Sequence, residues 1–231
     1  MHVRMGLIRK KTDWTLDEFD AYWRDRHGAL AARAPALRGY WQNMVVDRLQ
    51  RGIDFERGHW DFDGFSQLWF DDERQSAHAF KDDAIAADLI RDENHFLGEL
   101  HIVTARQSVV IPLPDAPERA RLLKRISILR RLPTLSEDDF QREWRVHGDL
   151  VRQMPGVSGY RQNVVMTRER EKGTPCDHAA LPIDGIVELW FKDTQTLEAA
   201  FASPAGQTTM AHAQTFLGDI TAFLVNERRV L

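Results

Sequence analysis

The chain has 231 residues, with 31 Lys and Arg against 35 Asp and Glu and a formal net charge of −4. Charges of both signs are interspersed, which argues against a dedicated nucleic-acid or anionic-membrane surface, and no apolar run approaches the ~18 residues that cross a bilayer. The single cysteine, Cys176, excludes an intrachain disulfide framework and suits a reducing cytosol. Without a signal-peptide h-region after Met1, a cytoplasmic protein is expected.

The first element is a short strand, Val3 to Ile8, ended by Arg9-Lys10-Lys11. Thr15-Leu16-Asp17-Glu18 has the spacing of a reciprocal helix cap. The helix it opens should run to about Ala34, where Pro35 stops it. Leu37 to Val46 reads as a second strand and Phe65 to Phe70, after Asp63-Gly64, as a third. A broken helical pattern spans Glu73 to Gly98, and Ile102 to Ile111 closes with a fourth strand.

The same order then returns. Phe19, Trp23, His27-Gly28, Pro35 and Gly39-Tyr40-Trp41-Gln42-Asn43 reappear as Phe140, Trp144, His147-Gly148, Pro155 and Gly159-Tyr160-Arg161-Gln162-Asn163. Asp63-Gly64 and Leu68-Trp69-Phe70 reappear as Asp184-Gly185 and Leu189-Trp190-Phe191, and Phe96-Leu97-Gly98 as Phe216-Leu217-Gly218. An offset of 120 to 121 residues means two whole domains rather than a solenoid. The expected division is 1–112, a proline-marked linker at 113–121, and 122–231. Each unit reads β-α-β-β-α-β, an α+β ferredoxin-like order with an antiparallel sheet and both helices on one face. The uncovered faces of the two sheets should pack on each other, making the chain an internal dimer. The basic stretch Arg119 to Arg131 reads as a linker running into a strand with a solvated face.

Residues four and eight apart on a helix share a stripe. Phe19, Trp23 and His27 therefore lie together, as do Phe140, Trp144 and His147, although the second histidine follows its tryptophan at three residues instead of four. Such a histidine is either a partly buried structural group or a general acid/base. Strand alternation puts Tyr40 and Gln42 on one sheet face and Trp41 and Asn43 on the other, and likewise Tyr160, Gln162 and Asn163. One set could line a pocket while the other bonds across the sheet interface. Asp63 and Asp184 fit Asx-type turns and are also candidate catalytic carboxylates. Cys176-Asp177-His178 is too thin for a metal site, and no phosphate loop, dinucleotide fingerprint or nucleophile elbow is present. Neither metal nor cofactor is expected.

Together, Phe-x-x-x-Trp-x-x-x-His-Gly, Pro-x-x-x-Gly-Tyr-x-Gln-Asn and Asp-Gly-x-x-x-Leu-Trp-Phe resemble the EthD domain of the dimeric α/β-barrel superfamily, in two tandem copies. The resemblance implies a barrel of two ferredoxin-like sheets, formed within one chain. The family's namesake accompanies a cytochrome-type monooxygenase in ether breakdown, and fungal relatives dehydrate or decarboxylate aromatic polyketides. The wider superfamily includes cofactor-free monooxygenases, lactone isomerases and some haem enzymes. The resemblance implies a cofactor-independent enzyme that moves protons with His27 and His147, partnered by Tyr40, Tyr160, Asp63 or Asp184. Trp23, Trp144, Gln42, Gln162, Asn43 and Asn163 would bind a hydrophobic carbonyl or aromatic substrate of catabolism or polyketide metabolism. The alternative is a non-catalytic small-molecule binder or an accessory of a multi-component oxygenase. A homodimer of the fused barrel is a further expected assembly.

Overall fold

The computed structural model describes residues 2–80 and 83–231; Met1 and positions 81 and 82, inside the helical stretch expected after Glu73, lie outside them. The first half runs β1 (His2–Lys10), α1 (Leu16–Tyr22), a π-helical turn (Trp23–His27), α2 (Gly28–Ala31), β2 (Gly39–Asp47), β3 (Gly64–Phe70), α3 (Glu73–His78), α4 (Asp83–Phe96) and β4 (Leu97–Ile111). A short α5 (Ala116–Arg119) follows in the linker. The second half repeats the plan with β5 (Leu123–Arg131), α6 (Glu137–Val151), β6 (Gly159–Glu171), β7 (Thr174–Pro175), β8 (Gly185–Phe191), α7 (Thr194–Ala202), α8 (Pro204–Ala213) and β9 (Leu217–Arg229). Thr15 and Glu18 form the full reciprocal cap of α1, and Ser136 caps α6 through the Asp139 amide.

Within each half the strand order is that of the ferredoxin-like sheet, β4-β1-β3-β2 and β9-β5-β8-β6, and all pairings are antiparallel. The two sheets join edge to edge. β2 pairs with β9, and β4 with β6, so eight strands close into one barrel. Closure removes the unpaired edge amides and carbonyls that a single half would expose. The barrel interior holds one apolar cluster drawn from both halves, including Val3, Met5, Phe65 and Val103 with Ile126, Ile128, Ile186 and Phe223. Consecutive Trp69 and Phe70 divide as strand alternation requires: Trp69 joins the barrel interior, and Phe70 packs under the helices.

Glycines after Asp63 and Asp184 serve tryptophan packing. A Cβ on Gly64 would stand 2.6 Å from the Trp23 ring, and Gly185 lies equally close to Trp144. The helix stripe and the Asp-Gly step are thus one packing unit, repeated in each half.

The basic run from Arg119 to Arg131 is not the solvated face expected. On β5, Lys124 points into the barrel and Arg125 toward the helices, and both are buried. Lys124 Nζ lies 2.7 Å from Glu188 Oε2 and 3.1 Å from Glu227 Oε2, and donates to Asn43 Oδ1 at 2.8 Å. Arg119 Nε donates to Glu227 Oε1 at 2.6 Å, and its guanidinium covers the Trp41 ring at 3.9 Å. Burial by itself would raise the Glu227 carboxyl, but Lys124 and Arg119 outweigh it and hold that group at about 2. Charged residues alternating with aliphatics read as an exposed face only until a closed barrel supplies buried counter-charges.

Candidate active site

Each half has a cavity between its sheet and its helices. In the first half, α1 and the π-helical turn after it lay Phe19 and Trp23 on the sheet, with their rings stacked 5.5 Å apart, and Phe96 from α4 packs against Phe19 at 5.7 Å and against His27 at 5.3 Å. The π-helical turn Trp23–His27 holds the extra residue that separates tryptophan from histidine in this half, whereas α6 runs through Trp144 and His147 as a regular helix. A π-turn inserts one residue without breaking the helix axis. It therefore absorbs the one-residue difference and keeps both histidines against equivalent phenylalanines, Phe96 at the end of α4 and Phe216 in the turn after α8, with His147 5.4 Å from Phe216.

The first cavity is lined by His27, Tyr40, Arg4, Ser66, Glu93 and Lys172 among apolar side chains, and measures about 40 Å³. His27 is buried, and its Nδ1 lies 2.7 Å from Asp92 Oδ2. Tyr22 donates its hydroxyl to Asp92 Oδ1 at 2.7 Å. Burial tends to raise the Asp92 carboxyl, but the hydrogen bonds from His27 and Tyr22 outweigh it and hold the group below its ordinary value. Burial, reinforced by Asp92, pushes the Tyr22 hydroxyl up to about 12, so it stays a donor. With Nδ1 bonded to an ionised carboxylate, the neutral ring carries its proton there and leaves Nε2 as the basic nitrogen.

The second cavity, about 50 Å³, is lined by His147, Tyr160, Trp144, Arg125 and Ser127 together with apolar residues that include Met154 and Met210. Here the position of Asp92 is taken by His212, whose Nδ1 lies 3.4 Å from His147 Nδ1. Burial, and then the neighbouring His212, push His147 down to about 3, so it is neutral near pH 7. Each cavity is completed by the opposite half: Lys172 after β6 reaches the first, and Ile53 after β2 reaches the second.

The remaining sequence candidates divide by sheet face. Tyr40 and Tyr160 line the cavities. Gln42 and Gln162 lie beside them, each donating Nε2 to the carbonyl of Trp23 or Trp144, at 2.7 and 2.6 Å, and to the tyrosine hydroxyl, at 3.0 and 2.9 Å. A Cβ on Gly28 or Gly148 would come within 3.2 Å of that Nε2, which is why glycine follows each histidine. Trp144 lines its cavity, while Trp23 is packed in the core beside the first one. Asn43 and Asn163 face the barrel interior, where each donates Nδ2 to a carbonyl of the neighbouring strand, Phe65 and Ile186, at 2.9 Å.

Asp63 and Asp184 stand outside both cavity linings, at the starts of β3 and β8. They accept the Lys10 amide at 3.0 Å and the Arg131 amide at 2.8 Å, and pair with Arg48 and Arg131. Among the residues at these sites that the sequence did not single out are Asp92, His212, Arg4 and Arg125. Asp92 and His212 share the 120-residue offset of Phe96 and Phe216, and Arg4 and Arg125 share the 121-residue offset of Phe19 and Phe140.

A ferredoxin-like half with a cavity under its helices, repeated twice around one barrel, is the architecture of a dimeric α/β barrel formed within a single chain. The sequence model of the EthD domain matches residues 11–99 and 132–219. With more than half of its length matched, the chain belongs to the EthD domain family. No curated protein matches it. In fold it is similar to an anthrone oxidase-like protein, with 10% identity, a TM-score of 0.64, and coverage of 99% of this chain and 93% of that one. It is also similar to a candidate monooxygenase from Lactobacillus acidophilus NCFM, with 8% identity, a TM-score of 0.57, and coverage of 100% and 94%. A candidate monooxygenase from Fusobacterium nucleatum subsp. nucleatum ATCC 25586 shares 7% identity and a TM-score of 0.59, over 99% of this chain and 93% of that one. At such identities the likeness is one of fold. No helix among the described residues is long and apolar enough to cross a membrane.

Proposed function

We infer that the first half is a proton-transfer site acting on a hydrophobic carbonyl or aromatic small molecule, with His27 as the general base and acid. The observation that carries this reading is the 2.7 Å contact between Nδ1 of His27, which lines the first cavity, and an ionised, tyrosine-supported Asp92 behind it. The Asp92 carboxylate fixes the ring and stabilises the imidazolium that forms on proton uptake.

The step is written at one carbon. Nε2 of His27 takes a proton from the carbon beside a carbonyl, the C–H electron pair moves into the C–C bond, and the carbonyl oxygen becomes an enolate. Tyr40, which lines the same cavity, is the donor we assign to that oxygen. Its hydroxyl oxygen already accepts Gln42 Nε2, and burial pushes its ionisation up, so its own proton remains to be donated. Where the enolate is conjugated with a further double bond, returning the proton from the His27 imidazolium to the far carbon gives isomerisation. Giving that proton to a departing β-hydroxyl releases water and completes a dehydration. In a β-keto acid the enolate forms instead from the C–C electron pair as carbon dioxide leaves, and protonation of its carbon by the imidazolium completes a decarboxylation. All three need only the residues named and no bound cofactor. Asp63 and Asp184 are assigned to strand anchoring, and Asn43 and Asn163 to hydrogen bonding inside the barrel. This reading places the chain in aromatic catabolism or polyketide metabolism.

The test is deuterium exchange at the acidic carbon of enolisable aromatic ketones in D2O, followed by NMR. The wild-type protein should accelerate exchange of at least one ketone. His27→Ala should lower that rate by about 10²-fold or more and Asp92→Asn by at least about tenfold, within the usual range for a positioned base. No acceleration across the set, or an unchanged rate in folded His27→Ala, would overturn the reading.

A further inference from the structure

Arg4 and Arg125 occupy equivalent positions on β1 and β5, and each guanidinium lies over the equivalent phenylalanine, Phe80 at 5.1 Å and Phe201 at 5.0 Å. Their charges are met differently. Arg4 is gripped by both carboxylate oxygens of Glu169, at 2.7 and 2.9 Å, and that carboxylate arrives from the opposite half after crossing the barrel seam. The residue corresponding to Glu169 at the other seam is Leu49, which is 62% exposed and carries no charge.

Arg125 is only 1% exposed. Its Nη1 donates to the Arg51 carbonyl at 2.8 Å and its Nε to Ser127 Oγ at 3.1 Å, and among the described residues no carboxylate pairs with it. Asp47 and Glu198, the acids beside the Arg51 loop that meets Arg125, both pair with the side chain of Arg51. The adjacent ionisable groups add no negative charge, since Arg57 is a second cation and His147 is neutral near pH 7. Burial lowers the Arg125 guanidinium to about 9, with Arg57 adding to the effect, which still leaves it charged at neutral pH. A buried cation without a counter-ion is unfavourable unless an anion joins it. The fork of a guanidinium matches a carboxylate in particular, as Glu169 does at Arg4.

We propose that the cavity of the second half is a carboxylate-binding site, in which Arg125 takes the carboxylate of a small hydrophobic acid and the apolar wall takes its body. Glu169 at Arg4 is the intramolecular counterpart of that ligand. The hydroxyl of Tyr160 and the ring of His147 line the same space and supply further polar contacts, while Met154 and Met210 are the unbranched side chains able to yield room beyond the present 50 Å³. This site stands apart from the reaction inferred for His27, and its test reads binding alone.

Calorimetric titration of the full chain with benzoate, isovalerate and the neutral isostere benzamide tests the assignment. At least one of the two acids should bind with a dissociation constant at least tenfold lower than that of benzamide. Arg125→Gln should abolish the preference, Arg125→Lys should keep part of it, and Arg4→Gln should leave it in place. The comparison of acid with amide uses only the wild-type protein, so it decides the matter even where Arg125→Gln fails to fold. Equal affinity for acid and amide, no binding of either acid, or a preference that survives Arg125→Gln would overturn the proposal.

Discussion

Asp92 and His212 occupy the same position in the two halves, four residues before Phe96 and Phe216, and each faces the histidine of its own first long helix. Asp92 Oδ2 lies 2.7 Å from His27 Nδ1, and His212 Nδ1 lies 3.4 Å from His147 Nδ1. One substitution separates a carboxylate-held histidine from a histidine pair. His212→Asp should therefore turn the second pair into a copy of the first. Ring 1H–13C spectra should show His147 titrating well above the value of about 3 at which burial and His212 hold it; an unmoved midpoint would mean that the second helix presents the two side chains differently.

The depressed His147 also makes a pH prediction. In the unfolded chain it takes its proton near 6.5 and in the folded chain near 3, so between these values the unfolded state binds more protons. Its contribution to stability is present above pH 6.5 and is lost as pH falls toward 3. At about 1.4 kcal/mol per pH unit, roughly 2–3 kcal/mol should disappear between pH 6.5 and 4. Urea unfolding of His147→Gln should show a flatter pH slope than wild type across that window, and identical slopes would refute the assignment.

Lys124, Glu188 and Glu227 form a buried charge cluster where the first half has Val3, Gln67 and Gln107. Lys124→Met alone should cost about 3–5 kcal/mol, because two buried carboxylates lose a shared cation. Adding Glu188→Gln, the residue the first half carries at that position, should recover part of that loss, while Glu227 keeps its pair with Arg119. Equilibrium denaturation of the single and double variants measures both effects.

Gly64 and Gly185 touch the tryptophans of the helix stripe, and a methyl group on Gly64 would meet the Trp23 ring at 2.6 Å. Gly64→Ala and Gly185→Ala should each destabilise the fold by about 1–3 kcal/mol through overpacking. A thermal-unfolding shift near zero for both would show that the indoles can move aside.

Element order and the doubled ferredoxin-like plan were legible in the sequence, because strand alternation and helix spacing repeat where packing requires them. The barrel followed only from the resemblance to the EthD domain, since alternation on single strands does not show that β2 meets β9 and β4 meets β6 edge to edge. His27 and Tyr40 were legible as neighbours of a packed stripe, and the structure puts them in one cavity. The Trp23–His27 spacing was visible as a one-residue difference, but a regular 3.6-residue helix has no place for it; the π-helical turn supplies one. Asp92 and His212 went unnoticed because a change of residue type hid an equivalent position. Arg4 and Arg125 were hidden for another reason. On a lone strand an arginine reads as solvent-facing, and only the helices and the loop from the opposite half bury it.

Deuterium exchange of a responsive ketone, measured side by side for His27→Ala and His147→Ala, decides whether proton transfer belongs to the half in which a carboxylate holds the histidine. His27→Ala should lose about 10²-fold or more of the rate while His147→Ala keeps it; loss in His147→Ala with the rate intact in His27→Ala would overturn the assignment.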